Sequence, residues 1–300
     1  PCDLGTYQPN SGQSSCIDSS PGHFVDVTAS LSQQNCQSGT YQPNAGQSSC
    51  IDASPGHEIN LDSTSQELCR VGYYQPDSGQ QNCIPSSPGY SVAILGSSTQ
   101  DGCDPGTYQP NFASSSCIEA SLGHYVENEN ATAQLSCTLG TYQPNYASTS
   151  CILADPGHWV ESDGASQTQS CPLGTYGTSV GAVGIETCIS ADPGYYVDST
   201  GASSQLECIA GTYNPMIGAI SSADCLAADA GNYVESSGSS EQTPCDLGTY
   251  QPNSGQIFCL ESSSGTYVSN TGSSSVSDCS EGTYQPNSGQ SECIDTSPGY

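Results

Sequence analysis

The sequence predicts an all-β chain of small disulfide-rich modules, an elongated linear tandem-repeat rod of short strands and turns with negligible helix. Three observations predict it. Eighteen cysteines recur at alternating short and long gaps. Only 34% of the 300 residues are apolar, too few for one globular core of normal size. Gly and Pro, 33 and 19 of them, interrupt every stretch in which a helical period could run.

The cysteines are Cys2, Cys16, Cys36, Cys50, Cys69, Cys83, Cys103, Cys117, Cys137, Cys151, Cys171, Cys188, Cys208, Cys225, Cys245, Cys259, Cys279 and Cys293. Cys2 to Cys279 covers 277 residues over eight periods, about 34.6 residues each. The repeats are therefore read as residues 2–35, 36–68, 69–102, 103–136, 137–170, 171–207, 208–244, 245–278 and 279–300, the last one truncated. The first half of a repeat reads Cys-x-x-Gly-Thr-Tyr-Gln-Pro-Asn-x-Gly-Gln-x-x-Cys, as from Cys2 to Cys16. The second half reads Cys-Ile-Asp-x-x-Pro-Gly-His-aromatic-Val-acidic, followed by a Ser/Gly/Gln stretch. Repeats 171–207 and 208–244 each carry a three-residue insertion, rich in small apolar residues, at Val180 to Ile185 and Met216 to Ile220.

Thr-Tyr-Gln and aromatic-Val-acidic triplets are strand material, expected to form strands of three to five residues. Pro-Asn-Ser-Gly and Ser-Pro-Gly are turn signals between them. Burial alone cannot hold 35 such residues, so disulfides are expected to supply much of the stability. Two pairings fit the alternation: Cys2–Cys16 with Cys36–Cys50, or Cys16–Cys36 with Cys50–Cys69. The chain opens Pro1-Cys2 and stops in mid-repeat at Pro298-Gly299-Tyr300, so it is expected to be a mature product or a window on a longer array.

Cys2, Gly5, Tyr7 and Cys16, a pattern repeated in all nine units, resemble the one-disulfide module of tumour necrosis factor receptor ectodomains and the cysteine-rich repeats related to ephrin receptors. Gly-Thr-Tyr and Pro-Gly-Tyr arrays are also similar to those of very large surface proteins of aquatic microbes. The resemblance implies that the flanking cysteines of each short gap pair with each other. Those receptors carry two or three disulfides per repeat and Cys-x-x-Cys doublets, which this chain lacks, so their ligand binding is not implied.

Thirty acidic residues against one basic residue, Arg70, give a net charge of -29. Such a chain is not expected to bind nucleic acid or an anionic membrane surface. His23, His57, His124 and His158 occupy one repeat position, which elsewhere holds Tyr90, Tyr195, Asn232, Thr266 or Tyr300, so a structural role is expected for them. Phe24, Tyr125, Trp159, Tyr196, Tyr233 and Tyr267 share the next position, with Glu58 and Ser91 as departures. These rings are expected to form a miniature core against neighbouring modules and disulfides. No cofactor is expected beyond a weak calcium option, for which Asp18, Asp26, Asp192 and Asp198 are the candidate ligands. Asn130-Ala131-Thr132 is an N-glycosylation sequon, and the dense Ser/Thr suits O-linked sugar. With no Lys and no clustered His, an enzyme has no residues to work with.

The functional expectation is a structural extracellular or cell-surface protein, a disulfide-stapled rod that self-associates into a fibre, filament or adhesin stalk. The alternative is a receptor-like or adhesin ectodomain binding a protein or glycan, with or without calcium.

Overall fold

The computed structural model describes residues 1–297. It contains 34 short strands paired into antiparallel hairpins, each a two-stranded sheet of its own. The first joins β1 (Thr6–Tyr7) to β2 (Ile17–Asp18), and the second joins β3 (His23–Phe24) to β4 (Gln34–Asn35). The same pairing recurs to β33 (Thr283–Tyr284) with β34 (Ile294–Asp295). Each of the first eight cysteine-defined repeats therefore contains two hairpins of like register, about 17 residues apart, and the ninth contributes one among the described residues. The only helix among the described residues is two 3-10 turns, Ile185–Thr187 and Ser222–Asp224, both within the inserted segments or their flanks. Gly299 and Tyr300, read above as the last repeat positions, lie outside the described residues.

Nearly all strands are two residues long, not three to five. The reason is where the next backbone groups are used. The residue after each Tyr or Phe turns its amide away from the partner strand and toward the following hairpin. Gln8 N–H donates to the Ser30 carbonyl at 3.0 Å, and Val25 N–H to the Gln47 carbonyl at 3.0 Å. Two further bonds complete each junction. Gly5 N–H donates to Val25 at 2.9 Å, and Ala29 N–H returns to Cys2 at 2.8 Å. The set repeats later in the chain, where Gly174, Gly177 and Gly201 amides bond Val197, Ala202 and Cys171 at 2.9–3.0 Å. Lateral pairing is thus exchanged for stacking, which gives these amides and carbonyls their partners.

All nine disulfides among the described residues span the short gap, from Cys2–Cys16 to Cys279–Cys293, with Cα atoms 5.6–5.8 Å apart. Closing a loop of this size is worth roughly 3 kcal/mol in the chain-entropy view.

The buried positions form two columns of small or compact side chains. One runs Cys2, Ser19, Cys36, Ala53, Cys69 and Ser86. The other alternates Val25, Gln42, Ile59, Gln75, Val92 and Gln109. The buried glutamines are satisfied internally: Gln42 Nε2 donates to the Ser49 carbonyl at 2.8 Å, and its Oε1 accepts from Asn44 N–H at 3.1 Å. Ser19 uses its hydroxyl in the same way, donating to the Gln47 carbonyl and accepting from Gln47 N–H. The aromatic rings do not form this core. Phe24, Tyr125, Tyr196, Tyr233 and Tyr267 are only half-buried, because the buried place is taken by the Val that follows each of them, Val25, Val126, Val197, Val234 and Val268. Trp159 is the exception at 7% exposed, bridged by Ala182 of the insertion-bearing hairpin.

Two compact units result. One comprises Pro1–Cys137, Gln143–Cys151 and Gly164–Ser166, and the other Thr138–Tyr142, Ile152–Asp163 and Gln167–Tyr300. Within them a second contact reaches two hairpins ahead. Gly39 has φ +85°, and a Cβ there would run into the Gly79 carbonyl oxygen. Gly12 also has positive φ, +82°, but open space around it, and its equivalents include Ala29, Ala113 and Ala147 with φ of 59°, 57° and 52°. Gly12→Ala should therefore cost only the backbone term of about 1–2 kcal/mol. Gly39→Ala should in addition push two hairpins apart. Amide hydrogen exchange over residues 40–85 should accelerate well beyond that in Gly12→Ala; equal exchange in the two variants would contradict the contact.

Candidate interaction surface

One cross-strand pair of each hairpin alternates in identity along the chain. In disulfide-bearing hairpins it sets Tyr against an exposed Ile or Leu: Tyr7 opposite Ile17, Tyr41 opposite Ile51, Tyr108 opposite Ile118, Tyr250 opposite Leu260. In most alternate hairpins it is an aromatic residue opposite a mostly polar one: Phe24 with Gln34, the buried Trp159 with Gln169, Tyr233 with Thr243. The isoleucines are 41–47% exposed, from Ile84 at 41% to Ile189 at 47%. A β-branched residue beside each cysteine reads as core, so the sequence hides this exposure.

The four histidines stay four separate residues. Each is half-buried, and each Nδ1 lies 3.0–3.4 Å from the carbonyl oxygen two residues earlier, Pro21, Pro55, Leu122 or Pro156. They orient their own turn and are not brought together.

The acidic candidates are likewise dispersed and exposed. Asp26 Oδ1 accepts from Gln34 Nε2 at 2.8 Å, and Asp192 Oδ2 accepts from Gln205 Nε2 at 2.9 Å. Asp18 packs over the Gly46 turn of the hairpin two places on, 3.4 Å from where a Cβ would sit. Asp198 lies exposed after Val197. Among the described residues no three His, Cys, Asp or Glu side chains converge to hold a metal ion. Asp18 and Asp26 stand on adjacent hairpins, and Asp192 and Asp198 on one. Arg70, the single basic side chain, places its guanidinium 4.2 Å from the centroid of the Tyr73 ring, a cation–π contact.

Asn130 is exposed on a turn with φ +56°, a conformation Asn tolerates better than most residues. Its position in the hairpin is the one that Gly46 and Gly79 occupy, facing Asp18 and Asp52 from two hairpins back. At Asn130 the arrangement is reversed. The residue two hairpins back is Gly102, and the Asn130 amide fills the space a Cβ on Gly102 would take. Side chain and glycine have exchanged places, a compensation no single repeat reveals.

The two insertions add apolar surface. Val180, Val183 and Ile185 are 45–62% exposed, and Met216, Ile217 and Ile220 are 51–70% exposed. The second insertion is held by a capping box: Ser221 Oγ accepts from Ala223 N–H at 3.1 Å, and Asp224 Oδ2 accepts from Ile220 and Ser221 N–H. Val183 and Ile220 lean over Gly140 and Gly174 of the hairpins two places earlier.

Sequence reasoning also missed a recurrent glutamine three residues before the first cysteine of the next repeat. Gln33, Gln66, Gln100, Gln134, Gln205 and Gln242 each accept a backbone N–H at 2.7–2.8 Å, from Ser20, Ser54, Ser87, Ser121, Asp192 and Asp229. A shift of 17 residues, in place of 34, exposes it: Ser19 then falls on Cys2, Gly22 on Gly5, and Gln33 on Cys16.

Comparison with known families fits this architecture. A family model described as tyrosine-protein kinase ephrin type A/B receptor-like matches residues 1–36 and 231–279. No curated protein matches the chain. The match and the serial disulfides support cysteine-rich, receptor-like repeats. The matched family describes a receptor ectodomain repeat and is not an enzyme family. Disulfides and this likeness together suggest an extracellular or secreted location.

Proposed function

We propose that the chain is a structural extracellular protein, a disulfide-stapled tandem array that builds a surface fibre, filament or adhesin stalk. The observation that carries the reading is the recurrence of one set of three backbone bonds from hairpin to hairpin, in each of the two units. A repeat that bonds only the hairpins one and two places away grows by addition, with no distant partner required. Repeated edges of one chemistry also suit head-to-tail contact between copies. The excess of 30 acidic residues over one basic residue coats such an array with charge and opposes its clumping.

A second reading, a receptor-like or adhesin ectodomain, is favoured by one observation, the exposed apolar insertions around Val183 and Ile220. Scattered surface hydrophobics need no explanation, but a local concentration of them does. Electron microscopy of the native material separates the two. The structural reading predicts regular fibres, both for the native chain and for one lacking Val183–Ile185 and Ile220–Ser222. Dispersed single molecules from native material count against it. Fibre-free material whose binding to cells is lost on that deletion favours the ectodomain reading.

A further inference from the structure

Fifteen of the 17 described hairpins are closed at the same place, but by two different means. In one set the closure is covalent: Cys2–Cys16, Cys36–Cys50 and their equivalents. In the alternate set the equivalent positions hold a small residue and a glutamine, at the spacing of 14 that separates Cys2 from Cys16. Ser19 with Gln33, Ala120 with Gln134, and Ala191 with Gln205 are instances. There the glutamine Oε1 takes the amide of the residue next to the small one: Ser20 at 2.8 Å, Ser121 at 2.8 Å, Asp192 at 2.7 Å. Several latches hold twice. Gln134 Nε2 donates to Ser121 Oγ at 2.7 Å, and Gln205 Nε2 and Gln242 Nε2 to Asp192 and Asp229 carboxylates at 2.9 and 2.8 Å. Two of the eight alternate hairpins have Thr168 and Val276 at this position and make no such bond.

We infer that the array is graded for force: the glutamine-closed hairpins open under tension and reclose, while the disulfide-closed ones stay shut and cap the extension. A neutral hydrogen bond contributes on the order of 1 kcal/mol, whereas a covalent closure cannot open without chemistry. The segment between closures, such as Cys16 to Cys36, is 20 residues and spans about 70 Å when fully drawn out. The 14-residue loop inside each bridge is withheld. A small thiol removes the cap: two thiol molecules leave joined as one disulfide, and their protons go to the two freed cysteine sulfurs. This property concerns the chain itself and holds whether it serves as a fibre or as an ectodomain.

Single-molecule pulling on the whole oxidised chain, held near its ends, tests the inference. Eight releases are expected, one for each segment between disulfides, six of them from glutamine-closed hairpins and the two unlatched ones at lower force, none longer than about 70 Å. The doubly substituted chain Ala120→Cys, Gln134→Cys should form a tenth disulfide, read as the loss of two hydrogen masses, and show seven releases. With a thiol present, the unsubstituted chain should gain further releases of about 50 Å as 14-residue loops open. Longer releases in the oxidised chain, from hairpins opening together, would overturn the proposal. So would a folded double variant in which the two new thiols fail to pair or eight releases persist. Should that variant not fold, hydrogen exchange on the natural chain decides. The Asp155 and Ser263 amides, which no glutamine holds, are expected to exchange several-fold faster than those of Ser20, Ser87 and Ser121, and equal rates would refute the latch.

Discussion

Where the chain is closed on itself governs the rest of the structure. A bridge across 14 or 17 residues makes every second hairpin a closed loop of its own, with its cysteine Cα atoms 5.6–5.8 Å apart. A bridge across the longer gap, such as Cys16–Cys36, would instead join hairpins two places apart. Short closure frees the backbone just beyond each two-residue strand, and that backbone stacks on the next hairpin. Stacking, in turn, fixes what can be buried. Val25 and Gln42 fit the space, Ser19 and Ala53 fill the cysteine column, and rings are left at the margin. A composition that first looks too poor in apolar residues to fold is the composition this stacking requires.

Close backbone approach also explains why glycine recurs where it does. At Gly39 both the left-handed conformation and the neighbouring Gly79 carbonyl exclude a side chain. At the Gly46 position the left-handed conformation remains but a facing side chain replaces the backbone obstacle, so Asn130 can stand there once Gly102 gives way. The pattern is one of paired tolerances between hairpins two apart, which spreads stability along the array instead of concentrating it in one core.

The cysteine spacing, the paucity of helix and the all-β modular class were legible in the sequence, because periodicity and turn residues carry them directly. The histidine position was legible too, since a slot that accepts Tyr90 or Asn232 asks for no histidine chemistry. Strand length was not, because Val25 and Gln8 look like strand residues whose amides in fact bond the next hairpin. The second kind of closure was hidden by chemistry: nothing about Gln33 resembles Cys16 except its place. Exposure of Ile17 and burial of Gln42 both invert the usual reading of those side chains, and only the direction of the stack decides them.

One measurement reaches the central claim of short closure most directly. Arg70 is the single Lys or Arg of the chain, exposed, and lies between Cys69 and Cys83. Trypsin should cut after it. With thiols blocked and no reductant, mass spectrometry should find one nicked species of full mass plus one water, which reduction separates into residues 1–70 and 71–300. Separation of the two fragments before any reductant is added, the outcome for Cys50–Cys69 and Cys83–Cys103 bridges, would contradict the closure and the architecture built upon it.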